Sequence, residues 1–320
     1  MSGDRVTGRD RGLCEDDGPG NDTGPGQGDG LRESDGLREG DGLRESDGLR
    51  EGGAMTEPDA PDGDGAHTVA VSVPGLVSLD EDVELTLAST GKLLLLAAVA
   101  RGIAAGRLDP AEIVEVRQED RCGGSGLLGD LSARHWTIGD LAVLTASVSD
   151  NTATNALLRR LGLDRVAEDA AALGFVRTRI LDRIREPRLP SDPPTFAVGT
   201  AGELARFAAE LDGRQEWTRL MLGWMACNTD RSMVPALLPH EPEDREVPAS
   251  VPPGRVWVAN KTGTDVGVRA DVGVMIGSGR RIGYAVLANG PAGDEHALLE
   301  SVRRAGLAIG RLAGLPAGRR

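Results

Sequence analysis

The 320-residue sequence carries a formal net charge of −14, with 39% hydrophobic and only 2% aromatic residues. That acidic balance is offset by no basic cluster, which excludes nucleic acid and anionic membrane surfaces as expected partners. Cys14, Cys122 and Cys227 form neither a disulfide framework nor a metal-ligand spacing, so no metal and no cofactor is expected.

The first 65 residues are acidic and Gly-rich. Gly30-Leu31-Arg32-Glu33-Ser34-Asp35 recurs as Gly36-Leu37-Arg38-Glu39-Gly40-Asp41 and then twice more with small changes. One leucine per six residues does not repay the entropy of ordering the backbone. Residues 1–65 are therefore expected as a disordered tail, with Met55 an alternative start, and residues 66–320 as the folded domain.

In that domain His67 to Val73 alternates as a strand, and Val83 to Leu87 suggests a second after a Gly/Ser turn. Ser89 then precedes the unbroken apolar run Leu93 to Ala100, expected as a helix buried on every side and ending near Gly102 to Gly106. The run is far too short to span a bilayer. Thr137 to Ser147 reads as a helix capped by Thr137, with Asp140 in its first turn. Thr152 to Leu161 and Leu163 to Leu173 read as two more. Residues 177 to 199 carry several prolines and charges and read as a long loop. Thr200 to Leu211 is expected helical, with Thr200 and Glu203 as a capping box, and Glu216 to Cys227 likewise. After Pro253 come three expected strands, Val256 to Ala259, Val266 to Ile276 and Arg281 to Ala288. The last two are joined by a hairpin turn at Gly277-Ser278-Gly279-Arg280. A helix over Asp294 to Ala308 closes the chain. Strands at both ends with helices between them predict an α+β fold. It has one antiparallel sheet flanked by helices, beside an all-helical lobe over about residues 105–215.

Four short signatures carry the chemistry: Ser89-Thr90-Gly91-Lys92, Ser149-Asp150-Asn151, Glu186-Pro187 and Lys261-Thr262-Gly263. Ser89 and Lys92 share one face at a helix start. A serine hydroxyl needs a base to become a nucleophile. A lysine supplies one if burial or a neighbouring cation depresses its pKa. Backbone amides at a helix start also lie near a developing oxyanion. Each signature alone has a plainer reading: a helix cap with a surface lysine, a polar turn, a charged loop residue, a solvated strand end. The first, second and fourth in this order select an active-serine acyl-transfer enzyme.

On these motifs the chain resembles the class A β-lactamases, in the β-lactamase/penicillin-binding-protein superfamily, from roughly Ala66 to Gly310. The resemblance implies a β-lactamase/transpeptidase-like fold. It makes Ser89 the nucleophile and Lys92 its base. Ser149 relays a proton to the leaving nitrogen, while Asn151 binds the substrate's side-chain carbonyl and helps fix Lys92. Asp150 braces their turn, and Glu186 is the base that breaks the acyl-enzyme. Lys261 and Thr262 offer a cation and a hydroxyl to a substrate carboxylate, and Gly263 lets the strand approach the ligand closely. The amide of Thr264 completes an oxyanion hole with that of Ser89. Arg269 sits where a second carboxylate-binding arginine is often found. The implied partner is a small acyl substrate bearing a carboxylate, most directly a β-lactam amide, and a monomer is expected.

The sequence also departs from the family. Pro190 stands where an asparagine helps hold the hydrolytic water, and proline has neither a polar side chain nor an N–H. Arg185 replaces a tryptophan, Thr178 to Arg183 contains one extra residue, and Asp192 comes too early to match the usual clamping aspartate. No aromatic wall is visible, since Cys122-Gly123-Gly124-Ser125-Gly126 lies where a tyrosine precedes the Ser-Gly pair. No candidate for the family's first long helix precedes Ala66. No basic region followed by an apolar segment follows residue 1 or Met55, so a cytoplasmic location is expected although the family is normally exported. The acylating set is complete and the deacylating set altered, which predicts slow release of the acyl-enzyme. The alternatives are a cytoplasmic esterase, amidase or transacylase of the same fold, or a non-hydrolysing penicillin-binding protein.

Overall fold

The computed structural model describes residues 67–316. The acidic repeat, the Met55 start and any helix before Ala66 lie outside the described residues. Strands β1 (Thr68–Val73) and β2 (Val77–Leu79) form a hairpin, with Gly75 at φ 73° in its turn. A two-residue β3 (Leu85–Thr86) follows, then a 3-10 turn over Ala88–Gly91 that runs directly into α1 (Lys92–Ala104). Every residue from Lys92 to Ala100 is buried, so α1 is the axis of the core.

A small ribbon of β4 (Ile113–Glu115) and β5 (His135–Thr137) leads into α2 (Ile138–Ser147), α3 (Asn151–Leu161) and α4 (Leu163–Ala172). Thr137 caps α2 by accepting from the Asp140 amide, and Asp150 caps α3 by accepting from that of Ala153. The following loop contains only β6 (Arg179–Ile180) and β7 (Ala197–Gly199), which with β3 make a separate three-stranded sheet. Then come α5 (Ala201–Glu210), α6 (Glu216–Ala226), β8 (Trp257–Asp265), β9 (Val268–Gly277), β10 (Arg280–Asn289) and α7 (Glu295–Leu312).

The main sheet runs β2-β1-β10-β9-β8 and is antiparallel throughout. Side chains alternate across it as the pleat requires. Tyr284, Val286 and Ala288 join the cluster under α7, whereas Ala285 and Leu287 join the cluster that holds α1, α5 and α6. The sheet is thus covered on both faces. Strand β8 is its edge, and the serine turn lies against it.

Several expectations change here. The strand after the first turn is Val77–Leu79, not Val83 to Leu87; only Leu85–Thr86 of the latter is extended, and it pairs with β7 instead. Largely exposed and only three residues long, β2 is too short for its Val77-Ser78-Leu79 alternation to reveal it. Helix α5 packs on the sheet rather than in the helical lobe. Thr200 caps it, but Glu203 does not complete a capping box: its carboxylate accepts from the amides of Val176, Arg177 and Thr178. Strand β8 continues six residues past Ala259, so the Lys-Thr-Gly triplet lies within the strand rather than closing it. Among the described residues no helix is long and apolar enough to cross a membrane.

Close packing of α5 on β10 depends on Gly283, where an added Cβ would fall 2.2 Å from the Ala209 amide nitrogen. Gly283→Ala is expected to cost about 1–3 kcal/mol of stability, as overpacking does, measured as a lowered denaturation midpoint. An unchanged midpoint would show that α5 yields freely.

Candidate active site

Ser89 is half-buried in the 3-10 turn that precedes α1. The residue before it, Ala88, is buried with φ 45°, a conformation that L-residues rarely adopt. Strand β8 holds this turn from the side. A Cβ on Gly263 would lie 2.5 Å from the Leu87 carbonyl oxygen and 2.9 Å from the Thr90 amide nitrogen. Gly263 is therefore required for the strand to reach the serine turn. Its close approach is to protein backbone, where the sequence suggested a ligand.

Lys92 and Lys261 are the only two lysines among the chain's 36 basic residues. Both are fully buried, and they meet at Ser149. Lys92 Nζ reaches the Ser149 carbonyl oxygen at 2.5 Å, Asn151 Oδ1 at 2.8 Å and Ser149 Oγ at 3.0 Å. Lys261 Nζ reaches the same Oγ at 3.0 Å and its neighbour's carbonyl, Thr262 O, at 2.8 Å. Burial first, and then the charge of Lys261, hold the Lys92 ammonium well below the usual lysine range, against the opposing charge of Asp150. Burial brings Lys261 down to about 8, opposed by Asp230 and Asp271. The hydroxyl between two nitrogens sits on a residue at φ 57°, another left-handed backbone.

Asp150 holds that turn in place. Its Oδ1 caps α3 and its Oδ2 accepts from the amides of Leu127 and Leu128. Asn151 turns its amide nitrogen to Gly123 O at 2.7 Å, so one of its two N–H groups is already used. Gly126, at φ 121°, leaves room for the Asp150 carboxyl, which a Cβ would meet at 2.4 Å.

Ser89 opens onto two clefts. One, of about 380 Å³, runs from Ser89, Gly124, Ser125 and Asn151 to Glu186, Pro187, Arg188 and Phe196, and also includes Thr264 and Asp265. The other, of about 160 Å³, joins Ser89, Ser125, Ser149 and Thr262 to Asn228 and Asp230. Glu186 is exposed, and no hydrogen bond among the described residues ties its carboxylate. Pro190 is exposed and lies outside both clefts, so its expected place beside the water is not observed. The loop is clamped differently from the family pattern. Asp182 accepts from Arg185 and Arg188, and Asp192 lies 3.5 Å from Arg185, so Asp192 belongs to this clamp despite its early position. Asn155 bonds both the amide and the carbonyl of Ile184.

Two expected carboxylate ligands are not in either cleft. Arg269 turns its guanidinium onto the Asp265 and Val268 carbonyls of its own hairpin, 2.9 and 2.7 Å away. Lys261 is sealed behind Ser149 and Thr262. Thr262 and Thr264 do line the clefts. Phe196 supplies an aromatic wall that the sequence did not reveal, because it arrives from the far end of the loop. Asp230 was also missed: it follows α6 in a turn with no diagnostic spacing. Among the described residues no group of three His, Cys, Asp or Glu side chains could hold a metal ion. Cys122 and Cys227 are both free thiols.

The profile of the β-lactamase enzyme family matches residues 65–313. Solved structures of similar fold include a β-lactamase from Sphaerobacter thermophilus. It is 27% identical with a TM-score of 0.68 over 80% of this chain and 94% of that one. PBP-A is 20% identical, TM-score 0.63, over 77% and 91%. A β-lactamase from Xanthomonas campestris is 22% identical, TM-score 0.61, over 76% and 91%. No curated protein matches the sequence.

The two lysines are coupled, and the coupling has a sign. If Lys92 must be neutral to take a proton, acylation of Ser89 rises with pH through the Lys92 pKa. Lys261→Met removes the neighbouring cation, raises that pKa, and should move the rising limb to higher pH. A pH–rate profile of serine labelling reads the limb independently of the absolute rate. A limb that stays in place contradicts the coupling.

Proposed function

The chain belongs to the β-lactamase enzyme family, and from that premise we propose that it is a serine hydrolase acylated at Ser89. Its acyl donors are strained or activated carbonyl compounds, β-lactam amides among them, and it releases the acyl group slowly. The observation that carries this reading is the buried chain Lys92–Ser149–Lys261 set directly beside the Ser89 turn.

Ser89 Oγ attacks the carbonyl carbon as neutral Lys92 accepts the hydroxyl proton. The amides of Ser89 and Thr264 face the developing oxyanion. The proton then passes through Ser149 Oγ to the leaving atom, the carbonyl re-forms, and the acyl group remains on Ser89. Lys261, protonated below about pH 8, keeps a positive field on that hydroxyl. In the second half Glu186 takes a proton from water as the oxygen adds to the acyl carbon; the bond from that carbon to Ser89 Oγ then breaks, and the proton passes on to Oγ, restoring the hydroxyl and the Glu186 carboxylate. An exposed, untethered carboxylate positions water poorly, which supports slow deacylation.

Intact-protein mass spectrometry after mixing with a penicillin should show one adduct that disappears in Ser89→Ala. Glu186→Ala should lengthen the adduct's lifetime without slowing its formation. Nitrocefin turnover should be slow, following a faster first turnover. Labelling that survives in Ser89→Ala overturns the nucleophile. Rapid multiple turnover overturns the slow release.

A further inference from the structure

We propose that a separate cleft at the C-terminal end of α1 binds a small carboxylate that carries a short apolar body. The cleft encloses about 210 Å³ and shares no residue with either cleft at Ser89. Arg107, Arg160 and Arg165 line it, beside Asp169. These arginines come from the loop after α1, the last turn of α3 and the first turn of α4, so no basic run in the sequence announces them. A cleft of this size admits a small molecule and not a polymer.

The cations outnumber their partners. Asp169 is 4% exposed, and three arginines share it. Arg165 Nε donates to its Oδ2 at 2.9 Å, while Arg101 Nε and Arg107 Nη2 lie 3.3 and 3.8 Å from its Oδ1. Glu112 holds Arg160 through Nε and Nη2, and Glu168 lies 3.5 Å from Arg165 Nη1. Neither glutamate lines the cleft. Within this ion-paired cluster four guanidinium groups therefore meet three carboxylates. Arg107 is the least committed of those lining the cleft: its guanidinium makes no hydrogen bond among the described residues, and Arg160 keeps Nη1 free as well. Planar N–H groups of this kind match the two oxygens of a carboxylate.

The backbone fixes where Arg107 stands. The amides of Arg107 and Leu108 both donate to the Gly102 carbonyl, at 2.9 and 3.2 Å. Leu108 packs over Gly102, where an added Cβ would fall 2.6 Å from Leu108 Cδ1. Leu108, Leu161 and the buried Ala98 give the cleft an apolar floor that belongs to the main core. An inorganic oxyanion would leave that floor wet, whereas an organic acid covers it and gains from the burial.

The test is a titration of the nitrogen-15-labelled full chain with benzoate, benzamide and acetate, followed by NMR. Benzoate should shift the amides of Arg107, Leu108 and Leu161. It should bind at least about tenfold more tightly than benzamide, which lacks the charge, and than acetate, which lacks the apolar body. Arg107→Gln should weaken benzoate by at least about tenfold while leaving the melting temperature in place, because the guanidinium it removes makes no hydrogen bond. Arg107→Lys keeps the charge without the planar fork and should fall between the two. No shift at those three amides, benzamide or acetate binding as well as benzoate, or undiminished binding in Arg107→Gln overturns the proposal. Each of these results leaves the serine hydrolase reading standing, since none of the residues tested touches Ser89 or its partners.

Discussion

Two ammonium groups with no exposed surface, converging on one serine hydroxyl, are the costliest feature of this protein and the one around which the rest is arranged. Each buried cation carries a desolvation penalty of several kcal/mol after relaxation. Lys92 and Lys261 also repel one another. The protein offsets this with carbonyl and amide oxygens from Ser149, Asn151 and Thr262, and with the more distant charges of Asp150, Asp230 and Asp271. What remains uncompensated appears as depressed lysine basicity, which is the property an acylating base requires.

The scaffold exists to hold that cluster dry and rigid. Helix α1 is apolar on every side, so Lys92 projects from an element that has no freedom to rotate. Behind β8 a second buried network repeats the theme with opposite charge. Asp271 accepts from Asn260, Tyr284 and the Val234 amide, and burial raises it to about 7. Asn260 joins this network to Asn228, which in turn anchors Asp230. One edge strand thereby presents Lys261 and Thr262 on the serine side while being fastened from behind. Left-handed backbone at Ala88 and Ser149, immediately beside and within the reacting set, is strain that such over-determined surroundings sustain.

Much of this architecture was legible because its signals were local. The apolar run after Lys92, the caps at Thr137 and Thr200, and the turn between β9 and β10 each follow from neighbouring residues. What escaped depends on distant parts of the chain. The extension of β8 through Lys261 was hidden because buried polar residues resemble a strand end until their partners are known. Arg185 and Asp192 read as departures from the family's loop, yet with Asp182 and Arg188 they form one clamp. Arg269 has the right residue type near the right strand, but two carbonyls of its own hairpin capture it. Phe196 and Asp230 face the clefts only because the loop and the end of α6 fold back toward Ser89. No spacing rule reports such a return.

With only two lysines in the sequence, the central feature can be observed directly. Protein labelled with carbon-13 at lysine Cε should give two lysine side-chain signals, assigned by replacing one residue at a time. A pH titration followed by NMR is expected to place both midpoints below the ordinary lysine value of about 10.4. Lys261 should titrate near 8, and Lys92 should likewise be well depressed. Two signals titrating together at the ordinary value would contradict the account, because lysines that keep their solution basicity are neither buried nor coupled through Ser149.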